Sequence, residues 1–518
     1  MMKRFLLLCP LFCSFLLRAQ LPEDALRLSY TNPSGTAREQ AIGGAMGSLG
    51  GDITANFVNP AGLGFYKTSE LLITPAFGLS KTKSDYLSDN QTGPGLNHFI
   101  MGTSGVVFGK ANAPDKSSAL SIAVTRTADF YSHTRYSGQN DYSSGAEAYA
   151  EEYANSGLSI DDALGPPGAA LSYGTRMALY TYLVDTATIG GVLQVIAQPQ
   201  KVLAADGQLY QLNDVKTTGG ITEIAFGLAS ATKDKWYFGL SIGVPIVNYR
   251  RETQYAESDL SGNPNNDFNR YNYSETYTSK GVGVNLKLGA IFRPSASWRI
   301  GLAVHTPSLY SLTDRVTASL YSDAEGYHHP DSTTSDQMDA LSGYGNSIDY
   351  DLTSPWHFIA SGSYVFGTGP DATSRQGFVT ADVEYITNRS PRFSVPSDYD
   401  GYYSDNGYYD ALNSTVKSYY RNSFNFRLGG EMKFNKIAAR LGGSYGLSPY
   451  AGSDIKADRA TIGGGLGYRD HGVFIDLTYV ESFQKDASFP YRLGDKANIY
   501  AITKQNTGTV ILTLGMKF

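Results

Sequence analysis

The chain has 518 residues with 38 Tyr, 56 Gly and only two Cys; 42% are hydrophobic and 17% charged, and the formal net charge is −6. The mean hydropathy of −0.25, with no apolar run of about 18 residues after the N-terminus, excludes a helical membrane protein. An acidic chain without a Lys/Arg block argues against a nucleic-acid partner.

The N-terminus reads as a signal peptide over residues 1–19. Lys3 and Arg4 form its positive start, Phe5 to Leu17 its apolar core, and Ala19 the small residue before cleavage. A lipoprotein reading of Cys9 or Cys13 is the weaker one, because Pro10 follows Cys9 and bulky Phe12 precedes Cys13. Both cysteines leave with the signal, so the exported chain has no disulfide framework. Losing Lys3, Arg4 and Arg18 takes the net charge from −6 to −9.

Residues 20–68 do not read as strands. The stretch from Ala37 is dense in Gly and Ala and ends in Asn59-Pro60-Ala61-Gly62-Leu63. Small residues let a chain pack inside a crowded tube. Pro60 cannot continue a ladder, and Asn59 can anchor a turn.

From residue 69 onward, period-2 alternation dominates. Trp236, Phe238, Leu240, Ile242, Val244 and Ile246 alternate with Tyr237, Gly239, Ser241, Gly243 and Pro245. Val282 to Phe292 and Trp298 to Val304 repeat the pattern. One face is apolar; the other is Gly, Ser and Ala with scattered charges. That suits a lipid-facing barrel with a crowded or wet lumen. Fourteen strands follow: 69–82, 97–109, 118–136, 219–231, 235–252, 276–293, 297–318, 352–366, 376–390, 421–434, 437–447, 459–468, 472–483 and 505–518. The fold class is all-β, a fourteen-stranded antiparallel transmembrane barrel over residues 69–518. Connections after even-numbered strands are short. Those after odd-numbered strands are generally longer and rich in Tyr, Asp, Asn and Ser, as in outer-membrane barrels. The longest, 137–218, carries two helix-like stretches, Ala146 to Tyr153 and Ala169 to Val184, separated by Pro166-Pro167-Gly168.

The two-residue turn Asn435-Lys436 fixes one register: Phe434 faces Ile437, Met432 faces Ala439, and Glu431 faces Arg440 on the inner side. The last strand ends on an alternating Val510, Leu512, Leu514, Met516, Phe518. Its terminal Phe resembles the recognition signal of the barrel-assembly machinery, an expected partner during biogenesis.

The small-residue segment Gly43-Gly44-Ala45 to Asn59-Pro60-Ala61, with Tyr66 to Leu72 leading into the first strand, resembles the FadL/TodX family of outer-membrane transporters for hydrophobic compounds. Weaker echoes are Trp298-Arg299-Ile300-Gly301-Leu302, Thr306-Pro307, Pro355-Trp356 and Gly465-Leu466-Gly467-Tyr468. The resemblance implies that residues 20–68 are a lumenal hatch, in which Asn59, Pro60, Ala61 and Gly62 are either its gate or part of a well-packed plug. It implies a monomer in the Gram-negative outer membrane, among outer-membrane lipid and lipopolysaccharide, that passes long-chain fatty acids or similar hydrophobes without an energy source. Ligand is caught among the outer loops and leaves sideways through a gap near strand 3. A continuous apolar path avoids a transfer cost of about 25 cal/mol per Å².

A carboxylate cargo needs lumenal cations. Alternation puts Lys287, Arg299, Arg427 and Arg440 inside. Arg440 is spoken for by Glu431, and Arg299 lies near a periplasmic turn, which leaves Lys287 and Arg427. The competing role for these is ion pairing with Asp382, Glu384 or Asp476. Phe57, Leu63 and Phe65, with Val58, are candidates to line the pocket, against ordinary packing. His328-His329 and His305 do not form a metal set, and no cofactor is implied. No zinc spacing, phosphate loop or Gly-x-Ser-x-Gly elbow points to an enzyme. The alternatives are a transporter or receptor for haem or aromatic hydrocarbons, and a surface adhesin or structural barrel. An energised plug-type receptor is disfavoured, since it needs a folded plug domain and about 22 strands.

Overall fold

The computed structural model describes residues 22–29, 34–167, 171–205, 207–343, 345–367, 376–396, 406–452 and 457–518. The proposed signal, residues 1–19, lies outside them.

Fourteen antiparallel strands close into one barrel. They are β1 (Glu70–Ile73 and Pro75–Tyr86), β2 (Leu96–Met101 and Ser104–Ala113), β3 (Lys116–Asp129 and Ser132–Asn140), β4 (Leu209–Thr232) and β5 (Trp236–Asp259). Next come β6 (Arg270–Phe292), β7 (Trp298–His305 and Leu309–Asp323), β8 (Ser347–Thr353 and His357–Phe366) and β9 (Gln376–Ile386 and Arg392–Ser394). The last five are β10 (Ser423–Phe434), β11 (Ile437–Gly446), β12 (Arg459–Asp470), β13 (Val473–Ser488) and β14 (Ala501–Lys517). β1 pairs with β14 from Glu70↔Lys517 to Asp85↔Ile502, which closes the ring. Phe518 and Ser69 exchange backbone hydrogen bonds of 3.0 and 3.1 Å at the seam.

The alternation sorts as the sequence indicates. Leu441 and Leu466 face outward, 67% and 62% exposed, while Ser121 and Ser241 on inward positions are fully buried. A barrel that sheds these leucines into lipid satisfies the hydrophobic effect without a dry core. The hairpin register also holds: Phe434↔Ile437, Met432↔Ala439 and Glu431↔Arg440 are paired. β7 and β8 each break at a proline, Pro307 and Pro355, which cannot donate to a ladder. Polar residues patch the notch: Ser354 N donates to Ser308 O and Ser308 N to Ser354 Oγ.

The outer ends of the strands are longer than alternation alone suggests. β4 starts at Leu209, not 219, and pairs with β3 as far as Asn140. The long loop is therefore 141–208 rather than 137–218. The added wall carries Asn213, Asp214, Lys216 and Thr217. In this stretch Leu209, Leu212 and Val215 fall three residues apart among polar neighbours, so the pairing leaves no period-2 hydrophobic pattern to read. Within the loop, helix Gly145–Ser156 begins with a capping box, Ser144 and Glu147. The second helix is shorter than expected, Tyr173–Tyr180, because Val184 enters a hairpin with Ala197. These elements pack with helix Ser335–Ser342 from the β7–β8 connection into an outer lobe around Met177, Leu179 and Met338. No helix among the described residues is long and apolar enough to cross a membrane.

Candidate functional site

Residues 34–68 fill the lumen as a series of short turns. Thr36 caps helix Ala37–Ala41, Asp52 caps the 3-10 turn Ile53–Asn56, and Asn59 caps the 3-10 turn Pro60–Phe65. Thr36 Oγ1 donates to Asp52 Oδ2 at 2.7 Å and ties the first two turns together. Almost every residue from Ala37 to Gly64 is buried.

The plug is seated on glycines. A Cβ on Gly239 would come 2.2 Å from the Pro60 carbonyl carbon, and one on Gly301 2.2 Å from Gly47 O. On the opposite wall, Gly429 and Gly442 meet the Ile42 backbone at 2.2 Å in the same sense. The small inward residues thus let plug backbone touch barrel backbone. Asn59 exploits this. Its Nδ2 donates to Gly47 O at 2.6 Å and, more weakly, at 3.4 and 3.3 Å to the carbonyls of Ala290 and Leu302, which are cross-strand partners of β6 and β7. Its Oδ1 accepts from Ala61 N at 3.1 Å. Gly62 N donates to Asn59 O, and Gly62 O accepts from Gly51 N. Asn59, Ala61 and Gly62 are therefore linked by hydrogen bonds into one seat, with Pro60 packed on Gly239 of the wall.

Charges lock the other side. Arg440 is fully buried and donates through Nε to Glu431 Oε2 and through Nη1 to Asp476 Oδ1, each at 2.6 Å. Arg38 of the plug adds an Nε contact of 3.2 Å to the same Glu431 oxygen. Arg299 donates to Leu49 O and lies over the Phe65 ring, 4.6 Å from its centroid.

Lys287 and Arg427 are both engaged by carboxylates. Lys287 Nζ bonds Glu223 Oε1, and Asn285 Oδ1 at 2.7 Å. Arg427 bonds Glu384, whose other oxygen contacts His357 Nδ1 at 2.8 Å. Lys287 and Phe57 line a small cavity of about 40 Å³. Leu63 and Phe65 do not; Leu63 packs in the plug core, and Phe65 stacks on Tyr237 at 4.0 Å. His305 is hydrogen-bonded to Val58 O at 2.9 Å. His328 stacks on Tyr182 in the outer lobe.

A much larger cavity, about 600 Å³, lies inside the barrel. Its walls come from the plug (Ser34, Gln40), the helix Pro22–Ser29 (Leu26, Arg27), β1 to β5, and β10 to β14. Arg427 is among its cations. So are Arg27, paired with Asp24 at 2.7 Å, and Arg251, paired with Glu275 at 2.9 Å. Apolar Ile100, Phe130 and Ile511 share the lining with Thr, Ser and Gln.

This cavity abuts a seam in the wall. Ladder pairs join β2 to β1 along both of its segments, but β2 to β3 only from Ser104↔Val124 downward. Among the described residues no ladder pair joins Leu96–Met101 to β3. β3 is itself interrupted at Phe130 and Tyr131. The seam is closed by substitutes. Ser34 N donates to Arg126 O at 2.7 Å on one side, and Thr103 N donates to Ser34 O at 2.8 Å on the other. Thr103 Oγ1 meets Thr125 Oγ1 at 2.9 Å. His98 contacts Asp129 at 2.6 Å and stacks on Tyr131 at 3.9 Å. Sequence reading missed Ser34, His98, Thr103, Thr125 and Asp129. Its one available signal was the inward parity of His98 in a strand that otherwise carries apolar residues and glycine there.

The described residues thus form a closed fourteen-stranded antiparallel barrel with an internal plug and a seam beside its cavity. Among solved structures it superimposes on a Pseudomonas aeruginosa FadL homologue with a TM-score of 0.53 and 14% identity, covering 95% of this chain and 100% of that one. It also superimposes on the P. putida toluene transporter TodX with a TM-score of 0.51 and 11% identity, covering 94% and 99%. The fold is that of the FadL and TodX barrels, as the resemblance implied. No family model and no curated protein matches the chain.

Proposed function

We propose that this protein is a passive conduit for hydrophobic small molecules across the outer membrane of a Gram-negative bacterium, with a fatty-acid-like amphiphile as cargo. The observation that carries the reading is the juxtaposition of the 600 Å³ cavity with the unpaired β2–β3 seam. The volume lies within the about 300–1,000 Å³ typical of small-molecule sites. Its mixed lining, with Arg27, Arg251 and Arg427 beside apolar side chains, suits an acid headgroup on an apolar chain better than a plain hydrocarbon. The carboxylates already on these arginines compete with the cargo, so binding is reversible rather than tight. The named relatives, a FadL homologue and a toluene transporter, support the hydrophobic ligand class.

In this mechanism residues 20–68 act as the hatch. Cargo is caught among the outer loops and enters the cavity beside Leu26 and Phe130. Ser34 then withdraws from the seam, and the apolar tail leaves sideways between β2 and β3 into lipid. The protein does this as a monomer without chemistry on the cargo. Equilibrium titration of the detergent-purified barrel with oleate and with toluene tests the reading. Saturable oleate binding that is tighter than toluene binding supports it; binding of neither overturns it.

A further inference from the structure

The outer ends of β1, β14 and β13 carry a row of cations on the exterior of the barrel. Alternation turns Lys81 and Lys83 outward with Phe77 and Leu79, Lys504 with Ile502 and Val510, and Lys485 with Tyr479 and Phe483. The register sets Lys83 directly opposite Lys504, and Lys504 directly opposite Lys485. Three ammonium groups thus stand in one line across three strands spaced about 4.8 Å apart. Like charges facing each other across strands destabilise a sheet.

The local carboxylates do not neutralise the row. Asp85 Oδ2 lies 3.2 Å from Lys504 Nζ. Glu481 accepts from its neighbour Tyr479. Among the described residues, Lys81, Lys83 and Lys485 have no ion pair or side-chain hydrogen bond. Four cations therefore meet two carboxylates.

The height of the row tells what it faces. One outward-facing position nearer the membrane stand Leu79, below Lys81, and Phe483, below Lys485, each 44% exposed. Below the line Lys83–Lys504–Lys485 the register sets Lys81, Asn506 and Phe483, then Leu79, Gly508 and Glu481, and then Phe77, Val510 and Tyr479, so the lysines stand at the upper, mixed margin of the apolar belt. We propose that Lys81, Lys83, Lys485 and Lys504 bind the phosphate groups of a phosphorylated lipid of the outer leaflet, whose acyl chains lie along Phe77, Leu79, Val510 and Phe483. The phosphates supply the counter-charge that the sheet lacks. The apolar surface below the row selects a lipid over free phosphate.

This inference rests on the outer-membrane reading but not on the cargo. Its test is a titration of the full-length barrel, purified in neutral detergent, with bis-phosphorylated lipid A, read by native mass spectrometry and by the unfolding temperature. The variants are Lys83→Ala/Lys485→Ala/Lys504→Ala and the corresponding triple Arg variant. At about a factor of five per lysine, the triple Ala variant binds about a hundredfold more weakly, while the triple Arg variant binds like wild type. Without lipid, the triple Ala variant unfolds at or above the wild-type temperature, since a repulsion is gone. Equal lipid binding by the triple Ala variant overturns the proposal. So does equal thermal protection of the wild type by inorganic phosphate and by lipid A, which would mark a simple anion site. So does a lower unfolding temperature of the lipid-free triple Ala variant, which would mark the lysines as structural. Oleate binding, measured separately, fails or succeeds independently of these outcomes.

Discussion

Asn59 Oδ1 occupies the place where a side chain on Gly289 would begin: a Cβ there would lie 1.9 Å from it. A single bare position on β6 thus admits the asparagine that fastens the plug to the wall. Gly289→Ala is expected to displace Asn59 and leave its carbonyl partners unpaired, weakening docking by about 1–3 kcal/mol. The barrel itself should stay heat-modifiable in gel mobility. Leakage of a small sugar from proteoliposomes should rise, and unchanged leakage would show that Asn59 is not the fastening.

The Glu431–Arg440–Asp476 cluster holds the wall and, through Arg38, the plug. Arg440→Ala takes the closest cation from two buried carboxylates, leaving Glu431 with Arg38 at 3.2 Å and Asp476 with Arg469 at 3.8 Å, and should cost about 3 kcal/mol. The expected readout is a lowered unfolding temperature, with a smaller loss for Arg38→Ala, whose partner Glu431 keeps Arg440. Equal losses would contradict the shared geometry.

Thr103 and Thr125 approach at 2.9 Å across the seam. A Thr103→Cys/Thr125→Cys variant should form a disulfide that locks β2 to β3. Oxidised, it should bind oleate as wild type does yet release it to acceptor liposomes far more slowly. Reduction should restore release. Release at the wild-type rate from the oxidised form would exclude this exit.

In the outer lobe, burial raises the Asp339 carboxyl above its usual range, and Tyr173 donates to it. A raised carboxylate stabilises packing fully below its unfolded value of 3.8, and that contribution fades as pH climbs through the folded value. Limited proteolysis of the lobe should therefore be slower at pH 4 than at pH 7. Asp339→Asn should flatten the difference.

What the sequence disclosed follows from which forces leave a local trace. Lipid contact imposes period 2, so Leu441, Leu466 and their rows are legible. The two-residue turn at Asn435-Lys436 sets the pairing of Glu431 with Arg440. The same period vanishes above the lipid, so the first ten residues of β4 carry nothing to read. Lys287 reads along the chain as an available cation because its partner, Glu223, sits two strands away on β4. The pair reaches over Gly243, where a Cβ would lie 2.1 Å from Glu223 Oε1. No spacing along the chain encodes that reach, nor the meeting of His98 with Asp129. The motif Asn59-Pro60-Ala61 is visible as a turn, while its docking surface is visible only as scattered glycines.

The central claim is that the interior cavity holds a hydrophobic cargo. Ser482 on β13 lines that cavity, and Ser482→Trp should obstruct part of it without touching the lipid-facing wall. The most direct measurement is mass spectrometry of small molecules extracted from barrel isolated in mild detergent straight from outer membranes, wild type beside Ser482→Trp. The account predicts a fatty acid or similar amphiphile enriched in the wild type and lost from the variant. A wild-type barrel that carries no such molecule and fails to take up added oleate would contradict it.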